Sequence, residues 1–161
     1  MSRRRVKEGD IYRIDLGDGT HVYAREATFS SSAYYDSRTT LDLAVDEIVK
    51  FPVLFFVCVF DEAIKHGRWK LVGNRSLHEA PLPQVPPKAI RRPYGESRFA
   101  VYFNDGRIRE TTSEEIEGLE PAMVWSPEKV EARLRDYYQG HPDRWKDSLR
   151  GFYREGWAPE S

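Results

Sequence analysis

Residues 9–27 read GDIYRIDLGDGTHVYAREA, two runs of alternating character on either side of Gly17-Asp18-Gly19. Successive side chains of a strand point to opposite faces. Period-two patterning on both sides of a turn whose glycines tolerate positive φ therefore specifies a β-hairpin. Tyr12, Ile14 and Leu16 form one face of the first strand, with Ile11, Arg13 and Asp15 on the other. Val22 and Ala24 face one way in the second strand, and His21, Tyr23 and Arg25 the other. This opening commits the N-terminal part of the chain to antiparallel sheet.

The segment TFSSSAYYDS predicts a serine loop and a short aromatic strand. Leu41, Ala44, Val45, Ile48 and Val49 recur at spacings of three and four, which predicts a short helix stopped by Pro52. VLFFVCVF is apolar on both faces and predicts a central strand covered from both sides. DEAIKHG predicts one helical turn closed by Gly67, followed by a strand in RWKLVG. Pro81 to Pro93 predict an extended surface connection, because proline lacks the N–H that a central strand or helix uses. Asn104-Asp105-Gly106 between alternating segments predicts a second hairpin. Thr112 with Glu115 has the spacing of a capping box, Ser126-Pro127 opens a helix with the stripe Val130, Leu134, Tyr137 and Tyr138, and Gly140 closes it. A further helix is expected from Pro142.

A chain of 161 residues, 40% apolar and 32% charged, is expected to form one globular domain over 1–161. The longest apolar run, Phe51 to Phe60, is broken by Pro52 and falls short of the roughly 18–20 residues that cross a bilayer. With no apolar core after the basic N-terminal residues, a soluble cytoplasmic protein that does not engage membranes is expected. Cys58 is the single cysteine, which excludes an internal disulfide and a cysteine-rich metal site; in an apolar run it reads as a small core side chain.

Net charge is −1, yet the charges are segregated. Asp36–Glu62 is acidic, Lys65–Arg109 basic and Glu110–Glu131 acidic again. Such blocks either form opposite-signed faces or cancel by pairing neighbouring segments, and cancellation is the expectation here. The basic block, with Arg68, Trp69, Lys70, Arg91, Arg92, Tyr94 and Arg98, supports an alternative in which a small β-barrel binds nucleic acid. GRWKLVG, residues 67–73, poses this choice most sharply, and its Arg68 and Trp69 read as scaffold.

Catalytic signatures are missing. His21, His66, His78 and His141 show no metal-ligand spacing and read as turn or surface residues. No Gly-x-Ser-x-Gly elbow, phosphate loop or dinucleotide fingerprint occurs. Adjacent carboxylates such as Asp61-Glu62 and Glu114-Glu115 do not point at one substrate atom. A non-enzymatic protein without metal or cofactor is expected; a hydrolase would need residues gathered only by the fold.

KEGDIYRIDLGDGTHVYAR, FFVCVF, GRWKLVG and SLHEAPLP, in that order, resemble the immunity protein 26 family of bacterial polymorphic toxin systems over about residues 7–83. Lys7, Gly9, Asp10, Asp18, Gly19, Tyr23, Gly67, Arg68, Trp69 and Gly73 carry the match, with Arg68 expected to pair with a carboxylate such as Asp10. The resemblance implies a small β-rich domain; with the elements read above, the expected fold is α+β, a strongly bent antiparallel β-sheet or SH3-like barrel with C-terminal helices. It concerns the β-rich immunity-like core, expected over 7–110, and leaves the C-terminal helical extension, 111–161, to the reading of the elements. It also implies a protein that binds a cognate toxin and occludes its active site. The expected partner-binding residues are Tyr34, Tyr35, Asp36, Asp42, Asp46 and Glu47, since aromatic and acidic groups share one loop-rich segment and carboxylates there would mimic phosphates toward a basic nuclease cleft. The same segment admits a second reading, in which the tyrosines finish the core and the acids face water.

Overall fold

The computed structural model describes residues 6–28, 31–91 and 98–141. In chain order the elements begin with β1 (Asp10–Asp15), β2 (His21–Glu26), β3 (Ser32–Tyr35), α1 (Val45–Ile48), β4 (Val53–Val59), α2 (Glu62–Lys65) and β5 (Lys70–Asn74). They continue with β6 (Lys88–Arg91), β7 (Phe99–Tyr102), β8 (Ile108–Thr111), α3 (Ser113–Ile116), β9 (Val124–Trp125) and α4 (Pro127–Tyr138). The chain separates into two compact units, one of Met1–Val85 with Val124–Arg135, the other of Pro86–Met123 with Asp136–Ser161.

The first unit carries a sheet of order β5-β1-β2-β3-β4-β9, antiparallel throughout except for the parallel pairing of β4 with β9. The class is α+β, as expected. Its sheet is mixed and open, with β5 and β9 at the edges, so it does not close into an SH3-like barrel. The predicted hairpin is present: Ile14 pairs with Val22, Asp15 with His21, and the Leu16 amide donates to Thr20 O at 3.0 Å. Register shifts at Ile11/Tyr12 and Tyr34/Tyr35 mark bulges, which bend a sheet.

Both faces of this sheet are covered. On one, Ile11, Tyr23 and Tyr35 pack with Ile48 of α1, and Leu43 and Val53 join them. On the other, Tyr34 stacks on Phe55 with centroids 4.9 Å apart, Trp69 meets Tyr34 edge-on at 6.0 Å, and the Arg133 guanidinium of α4 lies 3.9 Å from the Phe55 centroid. Burying Ile48 fully contributes roughly 1.5–3 kcal/mol to holding its four-residue helix in place. The face with His21, Tyr23 and Arg25 is thus interior. Arg25 is wholly buried, and its Nη2 donates to Arg75 O at 2.7 Å and Ser76 O at 2.8 Å. Carbonyl dipoles, which tie β2 to the strand exit after β5, solvate that charge.

Several expectations change. β4 was expected at the centre of the sheet but lies next to its edge strand β9, while β2 and β3 take the middle. The helix expected across Leu41–Val49 is only the turn Val45–Ile48. Side chains of β2 bind the Leu41 carbonyl and the Leu43 amide, so these groups cannot join a helical ladder. Asp10, the expected partner of Arg68, instead accepts from the Lys7 amide at 2.9 Å and from Asn74 Nδ2 at 2.9 Å.

The second unit holds the antiparallel sheet β6-β7-β8, with Ala89, Phe99, Val101 and Ile116 at its core. Asn-Asp-Gly makes the predicted hairpin, with Gly106 at φ +91°. The proline-rich stretch is not wholly a connection: between Pro87 and Pro93 the chain forms edge strand β6, because residues 88–91 keep their N–H groups and pair with β7. Thr112 precedes α3 but makes no side-chain cap, and Glu115 instead accepts the Thr111 hydroxyl. α4 starts as predicted, with Ser126 Oγ accepting the Lys129 amide at 3.3 Å and Val130 and Leu134 buried. Gly140 follows it at φ +88°. The helix expected from Pro142 lies outside the described residues, as do Arg92 and Tyr94.

Candidate partner-binding face

Segment 36–47 runs from the end of β3 into α1, across the face built by Tyr23, Tyr35 and Ile11. It contains little regular structure, yet backbone groups of Asp36, Thr39, Leu41 and Leu43 are held by groups outside it. The Asp36 amide donates to Pro52 O at 2.8 Å, and Thr39 and His21 exchange backbone bonds of 2.9 and 3.0 Å. Ser37 Oγ accepts the Tyr23 amide at 2.9 Å. Tyr23 Oη donates to Leu41 O at 3.2 Å and accepts the Leu43 amide at 3.1 Å, while His21 Nε2 lies 2.8 Å from the same Leu41 carbonyl. A carbonyl can only accept, so His21 carries its proton on Nε2.

On its outer side the segment presents Leu41, 65% exposed, beside Asp42 and Asp46, whose side chains are 88% and 79% exposed. Glu47 is also exposed, and its Oε1 accepts the Ala44 amide at 3.3 Å. Asp42 pairs with Arg13 Nη1 at 2.7 Å and Asp46 with Arg75 Nη2 at 2.6 Å. These pairs orient the carboxylates while leaving most of their surface to water, where each is worth about 0–1 kcal/mol. Of the six expected partner-binding residues, Asp42, Asp46 and Glu47 are exposed along the segment and Asp36 is partly buried. Tyr34 and Tyr35 are at 0% and 1% exposure within the sheet.

The basic block resolves differently. Arg68 donates from Nε and Nη2 to the two oxygens of Glu131, each at 2.7 Å, and from Nη1 to Glu128 at 3.1 Å. Trp69 is 2% exposed and its indole N–H donates to Glu131 at 3.0 Å. Arg68 and Trp69 of GRWKLVG are therefore scaffold. The acidic and basic blocks cancel in part within the fold, as expected, through Arg68 with Glu131 and Arg75 with Asp46. With its indole inside, Trp69 offers no base-stacking surface.

Among the described residues, no group of three His, Cys, Asp or Glu side chains is placed to hold a metal ion. None of the helices described is long and apolar enough to cross a membrane. Sequence reasoning missed His21, which it read as a turn or surface residue. The histidine is 2% exposed and holds the loop from below. The available signal was its place beside Tyr23 and Arg25 in the alternation, but its burial depends on Thr39 and Leu41 returning over it from well downstream.

No curated protein and no solved structure matches the chain. A family model described as Immunity protein 26 matches residues 7–98, more than half of the sequence, and spans β1 to β6 with the whole of segment 36–47. By that match the chain belongs to the immunity protein 26 family.

Proposed function

We propose that this protein neutralises a cognate bacterial toxin by binding it and covering its active site, without chemistry of its own, and that the covering surface is centred on Leu41, Asp42, Asp46 and Glu47. One observation carries this reading: an irregular acidic segment is held from beneath by His21, Tyr23 and Ile48 while its apolar and acidic tips project into water. Loops with that much internal bonding lose little freedom on association, and the cost of ordering is a large part of what limits affinity. An exposed leucine on a segment that also carries three exposed carboxylates suits a target whose cleft is basic, where complementary charge speeds encounter and an apolar contact slows release. Tyr35 contributes to this surface from below, as part of its support, whereas Tyr34 packs on the opposite face of the sheet. The cytoplasm, where a toxin active inside the cell would be met, is the compartment this reading requires.

The test is co-expression with the toxin-bearing protein encoded next to this gene. Growth should be rescued and a complex recovered. Replacing Asp42, Asp46 and Glu47 together by lysine should weaken that complex by tenfold or more, about 1.4 kcal/mol, with the melting temperature nearly unchanged. Persistent toxicity with no complex sinks the reading for that pair, and undiminished affinity of the triple variant puts the interface elsewhere.

A further inference from the structure

The first unit also holds a cleft of about 620 Å³ at the ends of β2 and β4, beside α2. Val59, Phe60, Ile64 and Val124 give it an apolar wall, and Phe60 and Val124 are 49% and 48% exposed. Glu26, Asp61 and Glu62 line it as well, and among the described residues Lys65 is the single cation in the lining. Lys65 Nζ lies 3.7 Å from Asp61, a half-exposed pair of small energetic weight. Among the described residues Glu26 has no ion-pair partner; its carboxyl accepts from Ser32 Oγ at 3.0 Å.

Glu26 and Ser32 are cross-strand neighbours, and Tyr34 lies two residues further on the same face of β3. Its buried hydroxyl has no hydrogen-bond partner. Glu26 lines the cleft without a cation among the described residues, and the unpartnered Tyr34 hydroxyl, outside the lining, is on the same face of the sheet; both are unusual where buried polar groups are nearly all satisfied. Three carboxyls repel an anion, and the apolar wall with no converging ligand set does not suit a metal ion. A cleft of this volume is of ligand size, and an exposed aromatic ring beside carboxylates favours a positively charged group on an apolar stem.

We propose that this cleft is a binding site for an organic cation, a primary ammonium or guanidinium group on an apolar stem, whose charged head pairs with Glu26 while its stem lies along Phe60 and Ile64. Nothing assigns a ligand to these residues, and the proposal is independent of the toxin-binding surface at Leu41–Glu47. Burial, opposed by the Ser32 hydrogen bond and reinforced by the charges of Asp61, Asp10 and Glu8, pushes the Glu26 carboxyl up to about 7. The ligand remains cationic through neutral pH, so its affinity rises as Glu26 loses its proton. Cys58, Asp61, Glu62 and Lys65 also face the cleft.

Titrating the whole protein with n-pentylammonium and with agmatine, followed by amide NMR and calorimetry, tests this. Amide shifts should concentrate at Glu26 and Val59–Lys65, with binding at least fivefold tighter at pH 8 than at pH 6. Neutral n-pentanol should not bind. Glu26→Gln should weaken binding at least tenfold. Asp61→Asn, on a solvent-facing residue, should weaken it two- to fivefold and keeps the test valid if the first variant does not fold. A short peptide carrying one lysine forms a second arm: tighter binding than the free amine identifies a protein side chain as the source of the cation, and weaker binding a free amine. Absence of shifts up to about 10 mM of either amine, equal binding of n-pentanol, or full affinity in a folded Glu26→Gln protein overturns the assignment.

Discussion

The backbone of Gly9 runs directly against that of Arg75: the Arg75 amide donates to Gly9 O at 3.0 Å, and a Cβ on Gly9 would overlap the Arg75 carbonyl. That carbonyl also accepts from Nε and Nη2 of the buried Arg25, at 3.2 and 2.7 Å. Gly9 has φ +85° and Gly19 has φ +87°, but nothing lies within 4 Å of a Cβ at Gly19. The two positions therefore separate backbone strain from close approach. Gly19→Ala should cost about 1 kcal/mol and Gly9→Ala about 3 kcal/mol or more, read by urea denaturation. Equal costs would mean that the β1–β5 junction can open to admit a methyl group.

Arg68 and Glu131 form the bidentate pair at the α4 side of the sheet, and the Glu131 side chain is only 9% exposed. Burial pushes the Glu131 carboxyl up, but hydrogen bonds from Arg68 and Trp69 and the Arg68 charge outweigh it, holding the group below the usual glutamate range. Stability from this pair is present above the unfolded-state value and is lost as pH falls through the folded one. Glu131→Ala should cost about 2–3 kcal/mol, because the Trp69 N–H loses its acceptor inside the protein. Since Arg68 is half exposed, Arg68→Ala should cost less, about 1 kcal/mol. A double-mutant cycle with coupling near zero would reduce the pair to surface decoration.

Tyr23→Phe removes the hydroxyl that holds Leu41 O and Leu43 N, and leaves the ring in the Ile11, Tyr35 and Ile48 core. A global loss of about 1–2 kcal/mol is expected, with faster hydrogen exchange confined to residues 39–44. If segment 36–47 is the toxin-binding surface, this variant should also bind more weakly without any change at the surface. Unchanged exchange would show that the loop is held by its ion pairs instead.

The raised Glu26 carboxyl gives a pH signature of opposite sign to Glu131. A folded state that holds its proton up to about 7 binds more protons than the unfolded chain from the ordinary value of 4.5 upward. Stability is therefore highest below 4.5 as far as this group is concerned, and falls until pH passes 7. Glu26→Gln should match the parent near pH 4 and exceed it by about 1–3 kcal/mol at pH 8, measured by urea denaturation at both values. A difference that stays flat with pH would mean the carboxyl is solvated.

What could be read from the sequence was what local rules determine. The Gly17–Gly19 and Asn104–Gly106 turns, the Ser126-Pro127 start of α4 and the turn closed by Gly67 depend on residues within a few positions, and all four appear. The sheet order, the burial of His21, Tyr23 and Arg25, and the pairing of Arg68 depend on segments that meet over long separations; Arg68 finds Glu131 63 residues away, where no periodicity points. The candidate surface was half legible. Composition marked the acids of Asp42, Asp46 and Glu47, whereas the adjoining Tyr34 and Tyr35 could be sorted into the interior only once Trp69 and Ile48 were seen to pack on the two faces of β3. The cleft beside Glu26 left no trace in sequence, because Glu26, Phe60, Asp61 and Val124 come together only through the β2–β3–β4–β9 pairing.

Helix α4 supplies Glu131, Val130 and Leu134 to the first unit, yet it begins almost 30 residues beyond the segment that the family model matches. A fragment trimmed to 7–98 would keep the family's signature and lose its own lid: the Trp69 indole would face water and the underside of the sheet would become a sticky apolar plate. Such a fragment should self-associate, so the shortest useful version of this protein is set by the helix that closes the sheet and not by the boundary of recognisable homology.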